Sequence, residues 1–170
     1  MGDQSGQMQG DHLILHNVKV VDRRDVHPEH PTRVKIGDLA SLVGYDLAPA
    51  AADLKAGRQF SLTLYYRVER PTTKNYTRSL QLISPDFGIV AQRDDEPQEG
   101  QNPTNSWQPG EIVADTVTLD VALDAQRGRY TVALCFYDSL AGFHRLPLLD
   151  DHQKPIPNDQ YVVLDVLIGP

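Results

Sequence analysis

The chain reads as an all-β domain, an immunoglobulin-like or jelly-roll β-sandwich of two antiparallel sheets, and three observations carry that reading. Segments such as QFSLTLYYRV and EIVADTVTLDVAL alternate apolar and polar residues with the period of a half-buried strand. Turn residues recur at intervals of roughly 8–12 residues, which divides the sequence into about eight to ten short strands. No stretch holds a helical period for more than one turn, so the crossover helices of a parallel α/β fold have no room.

The elements follow in order. Residues 1–11 are polar and rich in Gly and Gln, the composition of a disordered tail or linker. A single domain is expected over 12–170. HLILHNVKVV forms a first strand, and DRRDVHPEHP, with two prolines, a loop. RVKIGDLASLVGYDLAP is expected as one strand, with Gly37 and Gly44 at bulges or points of close approach and Pro49 at its end. Ala50, Ala51, Ala52 and Leu54 suit one helical turn that Gly57 stops.

RQFSLTLYYRVE is the clearest half-buried strand, with Phe60, Leu62, Leu64 and Tyr66 on one face and Ser61, Thr63, Tyr65 and Arg67 on the other. YTRSLQLIS and FGIVAQ form a hairpin about Ser84-Pro85-Asp86, and a long loop runs on to Trp107. EIVADTVTLDVAL, a turn over Asp124 to Gly128, and GRYTVALCFYD follow. FHRLPLL and DQYVVLDVLIGP bracket the turn-rich DDHQKPIPN. The expected core comprises Leu62, Leu64, Leu82, Ile112, Val117, Leu119, Val132 and Leu134.

At 170 residues the chain is long enough for one domain, which buries about 70% of the surface its unfolded chain exposes. Hydrophobic residues make up 40% and charged residues 23%, an ordinary globular balance. The net charge of −7, from 23 acidic and 16 basic residues without a basic run, makes nucleic acid a poor partner. No apolar run reaches the roughly 18 residues of a membrane span, so no membrane insertion is expected of this segment. The one cysteine, Cys135, lies in the apolar pattern YTVALCFY and reads as a small buried hydrophobe.

Catalytic signatures are missing: there is no G-x-S-x-G, no H-E-x-x-H and no phosphate-cradling glycine loop. Asp138 and the pair Asp150-Asp151 serve as acid and base only if the fold juxtaposes them. His12 and His16 share a strand face about 13 Å apart, too far for one metal; His27 and His30 lie in the Pro-rich loop. Asn75-Tyr76-Thr77 matches a glycosylation pattern that matters only in a secretory pathway.

Between Val90 and Asp115 the chain gathers its turn residues, an acidic cluster and its single Trp. Asp94, Asp95, Glu96, Glu99, Glu111 and Asp115 offer hard oxygen ligands, and a speculative calcium site would draw on Asp94, Asp95, Glu111 and Asp115. The alternative is a solvated acidic loop that guards a sheet edge. Tyr65, Tyr66, Tyr76, Trp107, Tyr137 and Phe143 offer a stacking platform for a sugar ring, and of these Trp107, Tyr76 and Tyr137, with Asp94 and Asp115 beside them, are the candidate ligand-binding residues. For Trp107 the competing role is a structural plug where the loop re-enters the sheet.

One ordered set of residues adds a resemblance: Gln92, Asp94, Pro97, Gly100, Pro103-Thr104, Trp107, Pro109-Gly110-Glu111 and Asp115, then Gly128, Tyr130 and Tyr137-Asp138. From about Val34 to Val166 the chain resembles the extracytoplasmic C-terminal β-sandwich domain of bacterial multi-spanning membrane glycosyltransferase-like proteins of the dolichyl-phosphate-mannose-dependent mannosyltransferase class. It departs from that pattern at Cys135 and Phe136 and upstream of Val34. The resemblance implies a location on the extracytoplasmic face of a bacterial membrane and a non-catalytic accessory role, contacting a glycan or acceptor or docking another protein domain. It carries over no catalytic residue and no cofactor. A free-standing carbohydrate-binding module and a calcium-stabilised interaction domain are the two other readings.

Overall fold

The computed structural model describes residues 19–51 and 54–169. The strand expected from His12 therefore falls outside the described residues as far as 18, and the helical turn expected about Ala50 runs into 52–53, which are also outside them.

Ten strands follow in order: β1 (His30–Ile36), β2 (Ala40–Ala48), β3 (Gln59–Val68), β4 (Thr77–Ile83), β5 (Ile89–Asp95), β6 (Ile112–Asp120), β7 (Gly128–Asp138), β8 (His144–Arg145), β9 (Leu148–Leu149) and β10 (Tyr161–Ile168). Among the described residues the only helical pieces are short 3-10 turns. One sheet has the order β6-β3-β2-β1-β9 and the other β10-β7-β4-β5, with β8 taking over beside the last residues of β7. Strand pairs within both sheets are antiparallel. This is the expected two-sheet sandwich.

Alternation decides which side chains meet between the sheets. Phe60, Leu62, Leu64 and Tyr66 of β3 face Leu80 and Leu82 of β4 and Tyr130, Val132, Leu134 and Phe136 of β7, all of them buried in one cluster. Seven of the eight expected core residues lie in that cluster; Ile112, out of step with Val113, Val117 and Leu119 on β6, does not, though it is buried at 8% exposed. Truncating any of the fully enclosed leucines to Ala costs about 2–5 kcal/mol.

Two expectations are corrected. The segment from Arg33 to Pro49 is a hairpin and not one strand: Gly37, at φ 50°, opens a tight turn that the Leu39 amide closes by donating to the Ile36 carbonyl at 3.1 Å. Pairing therefore starts at His30, inside the stretch expected to be loop, and Pro31 is accommodated because the β1–β2 register shifts between it and Val34. Gly44 does mark a close approach. A Cβ there would lie 2.6 Å from Pro28, and the β2–β3 register shifts between Leu42 and Gly44.

The inner rows also carry two charges. Arg78 shares its face of β4 with Leu80 and Leu82, and Asp115 shares its face of β6 with Val113 and Val117; they are 1% and 0% exposed. Arg78 Nε donates to Asp115 Oδ2 at 2.9 Å and Nη1 to the Arg93 carbonyl at 2.9 Å, while the Gln98 amide donates to Asp115 Oδ1 at 2.8 Å. The pair thus bridges the two sheets and ties in the loop after β5. Burial, with Asp115 close by, pushes the Tyr66 phenol well above its ordinary range.

Removing one partner strands the other charge in the core. Asp115→Ala is expected to lose about 3–5 kcal/mol in urea unfolding, and the double variant Arg78→Met/Asp115→Leu to recover most of that loss. A single-variant loss under about 1 kcal/mol would refute the assignment.

On the outer face of the first sheet, Tyr65 donates to Asp46 Oδ2 at 2.6 Å, and chiefly that bond holds its phenol up at about 12. The ordinary value, near 10, applies to the unfolded chain. The folded value is the higher one, so this stabilisation is complete below pH ~10 and is lost as pH rises towards 12. Alkaline unfolding curves of the parent and Tyr65→Phe should converge across that window; parallel curves would show that the bond contributes nothing.

Candidate ligand-binding face

The loop between β5 and β6 is a structural closure. Trp107 is 1% exposed, its indole N–H donates to the Asn102 carbonyl at 2.9 Å, and its ring stacks on Tyr66 with centroids 5.7 Å apart. Tyr66 in turn meets the edge of Phe136 at 5.4 Å. Thr104, fully buried, donates to the Lys74 carbonyl and accepts from the Tyr76 amide. Burial removes Trp107 from the set of ligand-facing aromatics.

The acidic cluster divides in the same way. Glu111 is 3% exposed and accepts from Lys19 Nζ at 2.9 Å, the Gln108 amide at 2.9 Å and the Asn102 side chain at 3.2 Å. Asp115 is committed to Arg78, so neither carboxylate belongs to a solvated loop. Asp94 is exposed and Asp95 half-buried. Alternation sends Asp94 and Asp115 to opposite sides of the sheets, and among the described residues no three His, Cys, Asp or Glu side chains gather where a metal ion would bind. The four carboxylates of the expected calcium site are therefore not brought together.

Other candidates are dispersed. Tyr76 is half-buried against the core and borders a shallow cleft with Arg70, Pro71 and Leu146. His30 stacks on Tyr45 at 4.7 Å, and His12 and His16 lie outside the described residues. Asp138 is held by Lys74 at 2.9 Å, and that bond draws its carboxyl below the ordinary range.

Tyr137 and Asp94 do meet, on the outer face of the second sheet. Opposite residues in antiparallel pairs share a face, so the pairings Ser79–Asp94, Gln81–Gln92 and Ser79–Cys135 place these five side chains together, with Tyr137 next along β7. The segment after β7 folds back over them and adds Phe143 and Arg145. The result is a cleft of about 250 Å³ lined by Ser79, Gln81, Gln92, Asp94, Cys135, Tyr137, Phe143 and Arg145.

The geometry of this cleft is specific. Phe143 is 67% exposed and tilts against Tyr137, with centroids 5.5 Å apart at 43°. The Tyr137 hydroxyl donates to Asp94 Oδ2 at 3.4 Å, and the Gln92 amide donates to the same oxygen. Ser79 is buried, and its hydroxyl has no hydrogen-bond partner. Gln81 accepts from the Gln160 amide at 2.8 Å, and Arg145 Nη1 donates to the Asn158 carbonyl at 2.8 Å. Burial pushes the Cys135 thiol up.

Sequence reasoning found Tyr137, Asp94 and Phe143 but missed Ser79, Gln81, Gln92 and Arg145. The available signal was the alternation of polar residues, Ser79 with Gln81 and Gln92 with Asp94, on strands whose other rows are apolar or committed inward.

No protein-family model matches the chain, and no curated protein is significantly similar to it. Among solved structures, the crystal structure of the C-terminal domain of wzt is similar, with a TM-score of 0.52 at 12% identity, over 88% of this chain and 85% of that one. At that identity the likeness establishes the β-sandwich fold.

Proposed function

We propose that this chain is a non-catalytic accessory β-sandwich module that holds a glycan in the cleft on the outer face of its second sheet. The observation that carries the reading is the tilted Tyr137–Phe143 pair standing beside the polar side chains of Gln81, Gln92 and Asp94. Sugar rings present an apolar C–H face and a rim of hydroxyls, so a tilted aromatic pair beside Asp94, Gln92 and Gln81 offers both kinds of contact. The cleft is smaller than the roughly 300–1,000 Å³ that encloses a drug-sized ligand. It fits one sugar residue of a longer chain.

The parent we propose is a membrane glycosyltransferase-like protein that displays this module on the extracytoplasmic face. The ordered residues from Gln92 to Asp138 that resemble such domains support it. The similar solved structure is itself described as a C-terminal domain, which agrees with an appended module. The proposal includes no metal or other cofactor.

Calorimetric titration with a panel of neutral and acidic oligosaccharides tests the site. Tyr137→Ala and Phe143→Ala should each weaken binding about tenfold, while the emission of buried Trp107 stays unmoved by saturating sugar. No binding by any panel member would overturn the glycan reading, and unchanged affinity in both variants would overturn the cleft as its site. The parentage is tested separately: the native polypeptide should remain in carbonate-washed membranes, and a soluble polypeptide of this chain's length would refute it.

A further inference from the structure

We infer that the sugar residue this cleft selects is acidic, carrying its carboxylate to Arg145; the inference rests on the glycan reading and names its substrate class. Arg145 projects from the two-residue strand β8, whose pairing with Tyr137 sets it beside the aromatic pair. One of its nitrogens is anchored, because Nη1 donates to the Asn158 carbonyl at 2.8 Å. Among the described residues it forms no ion pair within 4.0 Å, in a chain with 23 acidic side chains. A guanidinium steadied at one nitrogen, with its remaining N–H groups free, is preorganised to receive a carboxylate in a two-pronged hydrogen bond.

Asp94 does not pair with that guanidinium, since among the described residues no carboxylate lies within 4.0 Å of Arg145. Its Oδ2 accepts from the Tyr137 hydroxyl and the Gln92 amide, which leaves Oδ1 open to a donor from a ligand. Those bonds fix it as an acceptor for a sugar hydroxyl on the side of the cleft that β5 contributes. Ser79 borders the cleft, with its hydroxyl enclosed beside the Cys135 thiol, so the polar contacts open to a ligand come from Arg145, Asp94 and Gln92. Arg145 and Asp94 thus present a cationic fork and a carboxylate acceptor, with Tyr137 and Phe143 for the ring's C–H face. A uronic acid residue matches each in turn.

The test measures binding of oligogalacturonate, its methyl ester and a neutral mannan oligosaccharide to the parent chain, Arg145→Gln and Arg145→Lys. The expected result is binding of the acid at least about tenfold tighter than the ester, the change given by one charge-assisted hydrogen bond. That preference should vanish in Arg145→Gln, be partly restored in Arg145→Lys, which keeps the charge without the fork, and weaken with added salt. Arg145 is exposed, so the variants should unfold at the parent's urea midpoint. If the mannan or the ester binds as tightly as the acid and Arg145→Gln changes nothing, the acidic selectivity falls and the glycan reading stands. If no sugar binds the parent, both fall.

Discussion

The buried Arg78–Asp115 ion pair is the constraint around which the rest of the sandwich is arranged. Two charges taken out of water cost several kcal/mol each, and that cost is offset only where both ions are surrounded by good partners. Here the partners come from four places: β4 supplies the guanidinium, β6 the carboxylate, β5 the Arg93 carbonyl and the turn at Pro97–Gly100 the Gln98 amide. A slip of any of these strands by one residue would turn a charge outward and expose an apolar row. The pair therefore fixes the relation between two sheets that hydrophobic burial alone would leave freer to slide.

That placement dictates what the following loop does. Once Gln98 is held at Asp115, the chain must return across the end of the sandwich to begin β6, and Trp107 fills the space it crosses by stacking on Tyr66. Glu111 secures the return through Lys19, Gln108 and Asn102. The residues with the most chemical appearance in the sequence are thereby consumed in closure. The proposed glycan cleft lies elsewhere, on the outer face of the second sheet, where the segment after β7 folds over the strands. This covering buries Ser79, Gln81 and Cys135, outward-facing side chains that the sandwich alone would leave wet.

How much of this was legible follows from which signals are local. Strand alternation is local, and β3, β6, β7 and seven of the eight expected core residues are read from it directly; Ile112 sits out of step with Val117 and Leu119 and falls outside the core cluster. The same rule placed Asp115 in the apolar row of Val113, Val117 and Leu119, and Arg78 in the row of Leu80 and Leu82, so the buried pair was visible as two charges in core positions. Reading the acidic cluster by composition hid that. The hairpin at Gly37 was missed because one glycine between two apolar runs suits either a bulge or a turn, and only pairing with β3 and β9 decides. The cleft was half legible: Tyr137 and Asp94 stood out, but they meet through non-local register, and the contribution of Arg145 depends on a two-residue strand with no periodic signature.

The groups in the cleft support a role in holding a ligand over one in transforming it. A nucleophile needs an accessible thiolate or an adjacent base, whereas burial raises the Cys135 thiol and keeps it protonated at neutral pH. What Asp94 and Arg145 do offer is fixed geometry, since each is steadied by a neighbour before any ligand arrives. Pre-ordered donors and acceptors reduce the entropy lost on binding, and half-buried Tyr137 with exposed Phe143 adds contact area with few rotatable bonds. A shallow cleft built this way suits reversible capture of one residue in a long polymer, where contact must be specific enough to recognise and weak enough to release.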